Sequence, residues 1–383
     1  MKRILTFALC ITCFNFSHAQ HRSGDILREV ISKVNSLKSL SYTFSDVQKN
    51  MFSERDTSHS QTQSMVLFDR NAHIKASSDR IQMGKLRFRK IFKADTLYQA
   101  DLSDSTYSFT KNPEQSNITG GLFAAMATIT YNLNKKPATI FQRKDTIIGR
   151  HPCYNLFIKA YDKIEKGYHN YTYYYVFIDK VRRMPILFIE KGTGIAEKDG
   201  HIIGRLSIYN KTRFWGYHLN AVTDTAEFNF DSSKFSPQNS TMLADGEFAP
   251  RLNLTTPDGE KVDPNLFQNK ILLIEFGATD CGANALANPM VNRLHEKYAN
   301  KDFAIACLYT GETPRQAKNY INANKLRFPV YLTDVKTKHA YKTVGTPGFY
   351  LVGKNGKILM SSNGYSDELE QNLSVKIEDE LKK

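Results

Sequence analysis

Between Ser41 and Phe230 the sequence is a succession of short runs rich in Tyr, Phe, Ile and Thr, and beyond Ala244 that rhythm stops. KLRFRKIF, TLYQADL, CYNLFIKAY, NYTYYYVFID, PILFIEK and RLSIYNK each have the length and composition of a strand. Clusters of Asn, Asp, Gly and Lys separate them and supply turns. Ahead of them lies a different period. In GDILREVISKVNSLK, residues 24–38, Ile26, Leu27, Val30, Ile31, Val34 and Leu37 fall on one helical face. A second apolar stretch, GGLFAAMATITYNL (Gly120–Leu133), reads as a helix or plug against the sheet. One helix followed by many meandering strands predicts an α+β domain, a curved antiparallel sheet or half-barrel packed on that helix, over residues 21–231.

The segment SSKFSPQNST is polar, contains a proline and has no period, so a linker is expected over 232–243. After it, strand and helix patterns alternate, which predicts an α/β domain over 244–383. KILLIEF (Lys270–Phe276) is built on the apolar run Ile271–Ile274, as in a strand buried on both faces. GANALANPMVNRLHEKYA comes next as a helix with Pro289 inside it. DFAIACLYTG reads as a second core strand and PRQAKNYINANKL as a crossover helix. VGTPGFYLVGKNGKILM gives a strand, an Asn355-Gly356 turn and a partner strand.

The first twenty residues have a basic start, an apolar middle from Ile4 to Phe16 and Ala19 before Gln20, the layout of a secretory leader. The run is too short to span a bilayer. Export to a periplasm-like compartment is expected, with membrane association as a further option. Cys10 and Cys13 leave with the leader, so Cys153, Cys281 and Cys307 remain, too few for a disulfide framework. Charge is uneven. Residues 21–243 hold 32 basic and 21 acidic side chains, against 18 and 17 from Ala244 onward. Runs such as GKLRFRKIFK (Gly84–Lys93) and DKVRR (Asp179–Arg183) suit acidic lipid, polysaccharide or protein surfaces, or simply a solvated strand face. No nucleic-acid-binding motif is present, and a nucleic-acid partner is not expected. His295 and His339 are isolated, VGKNGK lacks the full phosphate-loop pattern, and neither metal nor cofactor is expected.

Two resemblances add to this reading. The strand-rich part, with CYNLFI and then YYVFIDKVRRMPI, resembles the periplasmic lipoprotein carriers, whose half-barrel holds acyl chains. That likeness implies an architecture and, more weakly, a lipid ligand. The stretch GEFAPRLNLTTPDGEKVDPNLFQNKILLIEFGATDC and the residues after it resemble the exported thioredoxin-like proteins of the TlpA and ResA type. The resemblance covers Gly246 to the end and implies a thiol–disulfide oxidoreductase. It implies Cys281 as nucleophile, Glu275 as a buried proton-accepting acid, and Pro347 as a cis-proline opposite the cysteine. The backbone of Thr346 would then pair with a bound substrate strand, and the partners would be a protein or small-molecule disulfide and a reducing thiol.

Two positions depart from that pattern. Asn284 stands where the resolving cysteine belongs, so an adduct on Cys281 has no neighbouring thiol to release it. Asp280 replaces the tryptophan that precedes the cysteine, and its charge opposes a thiolate that the helix amino end favours. An amide hydrogen of Asn284 donated to the Cys281 sulfur would offset that opposition. Cys307 lies mid-strand and Cys153 in the other domain, both poorly placed as resolvers. Peroxiredoxins, which share the fold this resemblance implies, carry a threonine three residues before the cysteine and a proline seven before; Ala278 and Ile274 stand there. The expectation is a single-thiol oxidoreductase, CGAN in place of CxxC. The alternative is a non-catalytic thioredoxin module joined to a lipid- or partner-binding half-barrel.

Overall fold

A computed structural model describes residues 23–383 except 84, 199–200, 223 and 239–240, and the expected leader lies outside the described residues. The chain divides into two compact units. One comprises residues up to Lys49 with Thr57–Pro237, the other Asn50–Asp56 with Gln238–Lys383.

In the first unit, helix α1 (residues 23–35) precedes a twelve-stranded sheet. The strands are β1 (Ser39–Asn50), β2 (Ser53–Phe68), β3 (Ile74–Met83), β4 (Lys85–Lys93), β5 (Thr96–Asp101) and β6 (Thr106–Lys111). They continue as β7 (Ile140–Ile148), β8 (His151–Glu165), β9 (Tyr168–Asp179), β10 (Pro185–Lys198), β11 (His201–Leu219) and β12 (Ser236–Pro237). Their order, β12-β6-β5-β4-β3-β2-β1-β11-β10-β9-β8-β7, is two meanders joined where β1 pairs antiparallel with β11, with the short β12 added parallel to β6. Local turns make every meander contact, so the short runs need only turn residues between them. The sheet is open, with β7 and β12 as its outer strands.

Two short helical segments interrupt the meanders, α2 (Gln115–Ile118) and α3 (Leu122–Lys135). The chain enters α3 through Gly121 at φ 56°, where an added Cβ would lie 2.7 Å from the Phe44 ring. Only glycine fits both that conformation and that approach. Leu27, Val30 and Val34 of α1 and Leu122, Ile129 and Leu133 of α3 share one core with Leu156, Ile158, Val176, Ile178 and Phe214 of the strands. Residues 232–237, expected to begin the linker, belong instead to this unit. Ser236 pairs with Thr106 of β6, and Phe230 stacks on Tyr98 and Phe235. Aromatic burial holds a segment that its polar composition marked as loose.

The second unit contains a six-stranded sheet of β13 (Leu254–Thr255), β14 (Ile271–Gly277), β15 (Phe303–Thr310), β16 (Val330–Thr333), β17 (Gly348–Val352) and β18 (Ile358–Asn363). The order is β13-β16-β15-β14-β17-β18. Strand β14 runs parallel to β15 and antiparallel to β17. The helices are α4 (Gly282–Lys297), α5 (Pro314–Asn324), α6 (Val335–Ala340) and α7 (Leu369–Leu381). Alternate residues of β14 enter two cores. Ile271 and Leu273 join Ala287, Val291 and Leu294 of α4 with Leu373 and Ile377 of α7. Leu272, Ile274 and Phe276 join Tyr341, Tyr350 and Ile358. Burial on both faces explains the apolar run Ile271–Ile274, since each alternate set faces a core.

Leu27 is fully buried in the first unit's core. Trp215 of β11 is the chain's single tryptophan, so its emission reports on that unit. Leu27→Ala is expected to cost about 2–5 kcal/mol and to lower the urea midpoint followed at Trp215; an unchanged midpoint would contradict this packing.

Candidate active site

Strand β14 delivers the chain to Gly277, the turn 278–280 comes next, and Cys281 is the N-cap of α4. The Cys281 amide donates to the Ala278 carbonyl at 3.3 Å, closing the turn. The cysteine is half-buried, so its sulfur is reachable. Its thiol donates to the Thr346 carbonyl at 3.3 Å, and the Thr346–Pro347 peptide bond is cis. Tertiary packing therefore brings together two segments 65 residues apart. The next carbonyl, of Pro347, accepts from the Gly364 amide at 2.7 Å.

Beneath the turn lies a carboxyl without solvent. Glu275 is two residues after Leu273, on the α4 side of β14, and is fully buried, not on a solvated strand edge. Burial pushes its carboxyl up to about 7, while hydrogen bonds from Cys307, opposite it on β15, and from Asn284 pull the other way. Asn284 Nδ2 donates to Glu275 Oε1 at 2.7 Å, and Oε2 has no partner. Asn284 Oδ1 accepts the Ala278 amide at 3.1 Å. The expected amide contact with the Cys281 sulfur is thus replaced. Asn284 is completely buried and turned toward β14, and the sulfur bonds to Thr346 instead. Gly277 makes this possible: a Cβ there would lie 2.7 Å from both Asn284 Nδ2 and the Tyr309 ring.

Other residues near the cysteine escaped the sequence reading. Glu312, half-buried, accepts the Thr279 amide at 3.2 Å, and its carboxyl is held above its ordinary range chiefly by burial. Its only local signal is the adjoining Thr313-Pro314, where Thr313 caps α5 with Gln316. Asn50 Nδ2 donates to the Thr279 carbonyl at 2.9 Å. The Phe52 ring lies 3.3 Å from where a side chain at Gly282 would begin. No local pattern in the sequence connects residues 50 and 52 with a site more than two hundred positions away. Cys153, Cys281 and Cys307 are free thiols, and Cys307 is buried, its thiol pushed well up by burial and by Glu275. Among the described residues no group of three or more His, Cys, Asp or Glu could hold a metal, and no helix is long and apolar enough to cross a membrane.

The sequence profile of the AhpC/TSA family matches residues 246–361, the stretch that carries this sheet and its cysteine turn. The second domain is thioredoxin-like. It is related to the thiol-disulfide oxidoreductases of the ResA type. The thiol-disulfide oxidoreductase ResA of Bacillus thuringiensis subsp. konkukian is 29% identical over 123 residues, 31% of this chain and 69% of that protein. The thioredoxin-like protein YneN of Bacillus subtilis is 26% identical over 118 residues, 30% of this chain and 69% of that one. Among solved structures, the thioredoxin domain of a thiol-disulfide oxidoreductase from Bacteroides vulgatus matches at 24% identity with a TM-score of 0.33, covering 35% of this chain and 99% of that one.

The thioredoxin-like domain carries a pH signature through Glu275. Its folded-state value of about 7 exceeds the ordinary 4.5, so between these values the folded form holds the extra proton. The associated stability is complete below pH 4.5 and is lost as pH rises through 7. At 1.36 kcal/mol per unit the loss is about 3 kcal/mol. Glu275→Gln is expected to flatten that part of the pH profile of urea unfolding. A profile identical to the parent's would show that Glu275 does not titrate there.

Proposed function

We propose that the thioredoxin-like domain performs thiol–disulfide exchange through one thiol, Cys281, in an exported protein. The observation that carries this reading is the setting of Cys281: reachable, at the amino end of α4, and against the Thr346 carbonyl beside Pro347. The names of the ResA relatives, thiol-disulfide oxidoreductases, point the same way. In this reading the Cys281 thiol loses its proton and its sulfur attacks one sulfur of a disulfide. A protein–substrate disulfide forms as the old S–S bond breaks, and the leaving thiolate takes up a proton. Glu275, with a free Oε2 and a carboxyl poised at about 7, is the candidate proton acceptor. Asn284 positions that acid. The Thr346 backbone exchanges its bond from the thiol for one to the incoming substrate strand. An external reducing thiol then attacks the substrate's sulfur, restoring Cys281 and leaving joined to the substrate.

The amide of Asn284, committed to Glu275 and Ala278, favours a second reading: a binding module that no longer turns over. In it, the first unit would be a half-barrel like those of the lipoprotein carriers and would hold a lipid or a partner, with its basic residues toward an acidic surface. The leader at 1–20 and a periplasmic site of action belong to both readings.

Alkylation kinetics separate the two. The exchange reading expects Cys281 to react faster than a free thiol peptide at neutral pH, with the fast phase removed by Cys281→Ser. A rate at or below the peptide's would sink it. Insulin reduction with dithiothreitol should be weak for the parent protein and at least about tenfold faster for Asn284→Cys, which restores a neighbouring thiol. No gain would mean that the rest of the site has lost its function as well.

A further inference from the structure

The turn between β1 and β2 belongs to the unit that carries Cys281, since Asn50–Asp56 groups with Gln238–Lys383. Four side chains fasten it there. Asn319 Nδ2 of α5 donates to Asp56 Oδ1 at 2.9 Å, and Ser53 Oγ donates to Asp56 Oδ2 at 3.0 Å. Ser53 and Asp56 are both buried. Asn324 Nδ2, at the end of α5, donates to the Phe52 carbonyl at 3.4 Å. The Phe52 ring packs against the core that includes Ala287 and Val291 of α4. Bonds among buried groups resist breaking, because the freed groups would lie unpaired.

Asn50 is the end of this turn that meets the cysteine loop. Its Oδ1 accepts the amides of Phe52 at 2.8 Å and Ser53 at 3.2 Å, which sets the direction of the side-chain amide. Nδ2 is thereby left to donate to the Thr279 carbonyl at 2.9 Å. Glu312 accepts the amide of the same residue, so both polar backbone groups of Thr279 are held by side chains from distant segments. The Ala278 amide is held by Asn284, and the Ala278 carbonyl by the Cys281 amide. Thr279 is only 5% exposed, so water has little room to take the place of Asn50. On the other side of the cysteine, the Phe52 ring abuts Gly282, the first residue of α4. Residues 50 and 52 thus brace the turn before Cys281 and the helix after it.

We propose that Asn50 is a positioning residue for Cys281: its bond to the Thr279 carbonyl fixes the turn that aims the sulfur at an incoming disulfide. This role rests on the exchange reading of the domain. Attack on a disulfide requires the nucleophilic sulfur to line up with both substrate sulfurs, and a substrate held along a backbone edge cannot turn to suit a misplaced one. A small alkylating reagent can. Loss of the Asn50 bond therefore slows exchange with a peptide disulfide and spares alkylation. Asn50 acts through Thr279 and not on the sulfur itself.

The test compares two rates per Cys281 thiolate, taken from pH–rate profiles of the full chain. One is with iodoacetamide; the other is with an end-blocked, uncharged peptide disulfide, its mixed disulfide followed by mass spectrometry. Asn50→Asp keeps the acceptor for the Phe52 and Ser53 amides and loses the donor to Thr279, whereas Asn50→Ala loses both without adding charge. Each is expected to lower the peptide-disulfide rate by about tenfold or more and to leave the iodoacetamide rate within about twofold of the parent's. Cys307, fully buried, stays unmodified while this unit is folded, and Asn50→Ser replaces any variant in which it reacts. A merely structural role would not change the ratio of the two rates. Parent-like ratios in the variants, or equal falls in both rates, overturn the proposal while the exchange reading stands. A parent that forms no mixed disulfide overturns the exchange reading, and this role with it.

Discussion

A carboxyl sealed inside an apolar strand sets the terms for the thioredoxin-like domain. Glu275 has no solvent contact, and a buried charged group is costly unless hydrogen bonds or protonation relieve it. Both forms of relief are present. Asn284 reaches back from the first turn of α4, Cys307 faces it from β15, and burial raises its affinity for a proton. The contact requires α4 to approach β14 closely, which the bare Cα of Gly277 allows. Because Cys281 caps that same helix, the hydrogen bond holding the acid also fixes the helix end that presents the sulfur.

The asparagine at position 284 gains a physical meaning from this geometry. Asn284 is a connector, tying the buried acid to the Ala278 amide in the turn below the thiol. In the proposed exchange this arrangement would hold a proton and present a sulfur, with release of an adduct left to an external thiol. The thiol rests on the Thr346 carbonyl, at the position where an incoming strand would dock in the proposed exchange.

Much of the architecture was legible beforehand, and individual segments show why. KILLIEF announced a strand buried on both faces, and the Tyr- and Phe-rich runs announced a meandering sheet. Hydrophobic period is a local property that arises directly from backbone geometry. The start of the linker was misjudged because polar composition hid Phe230 and Phe235, which stack against the sheet edge. Within the site, the positions of Cys281, Glu275 and Pro347 came from a resemblance over a long frame, whereas the direction of the Asn284 amide did not. A side chain three residues into a helix can face the sulfur or the sheet, and the choice depends on the room left by Gly277. Asn50 and Phe52 carried no local signal, and Glu312 only that of the adjoining Thr313-Pro314.

By itself the sequence determined the order of helices and strands, the change from a meandering sheet to an alternating α/β domain, and the residue that stands at each chemically important position. Tertiary structure alone decided which buried atoms find partners. It paired Asn284 with Glu275 and the Cys281 thiol with the Thr346 carbonyl. The reason is physical: period and turn chemistry act over a few residues, whereas a hydrogen bond depends on a few tenths of an ångström between segments that packing alone brings together.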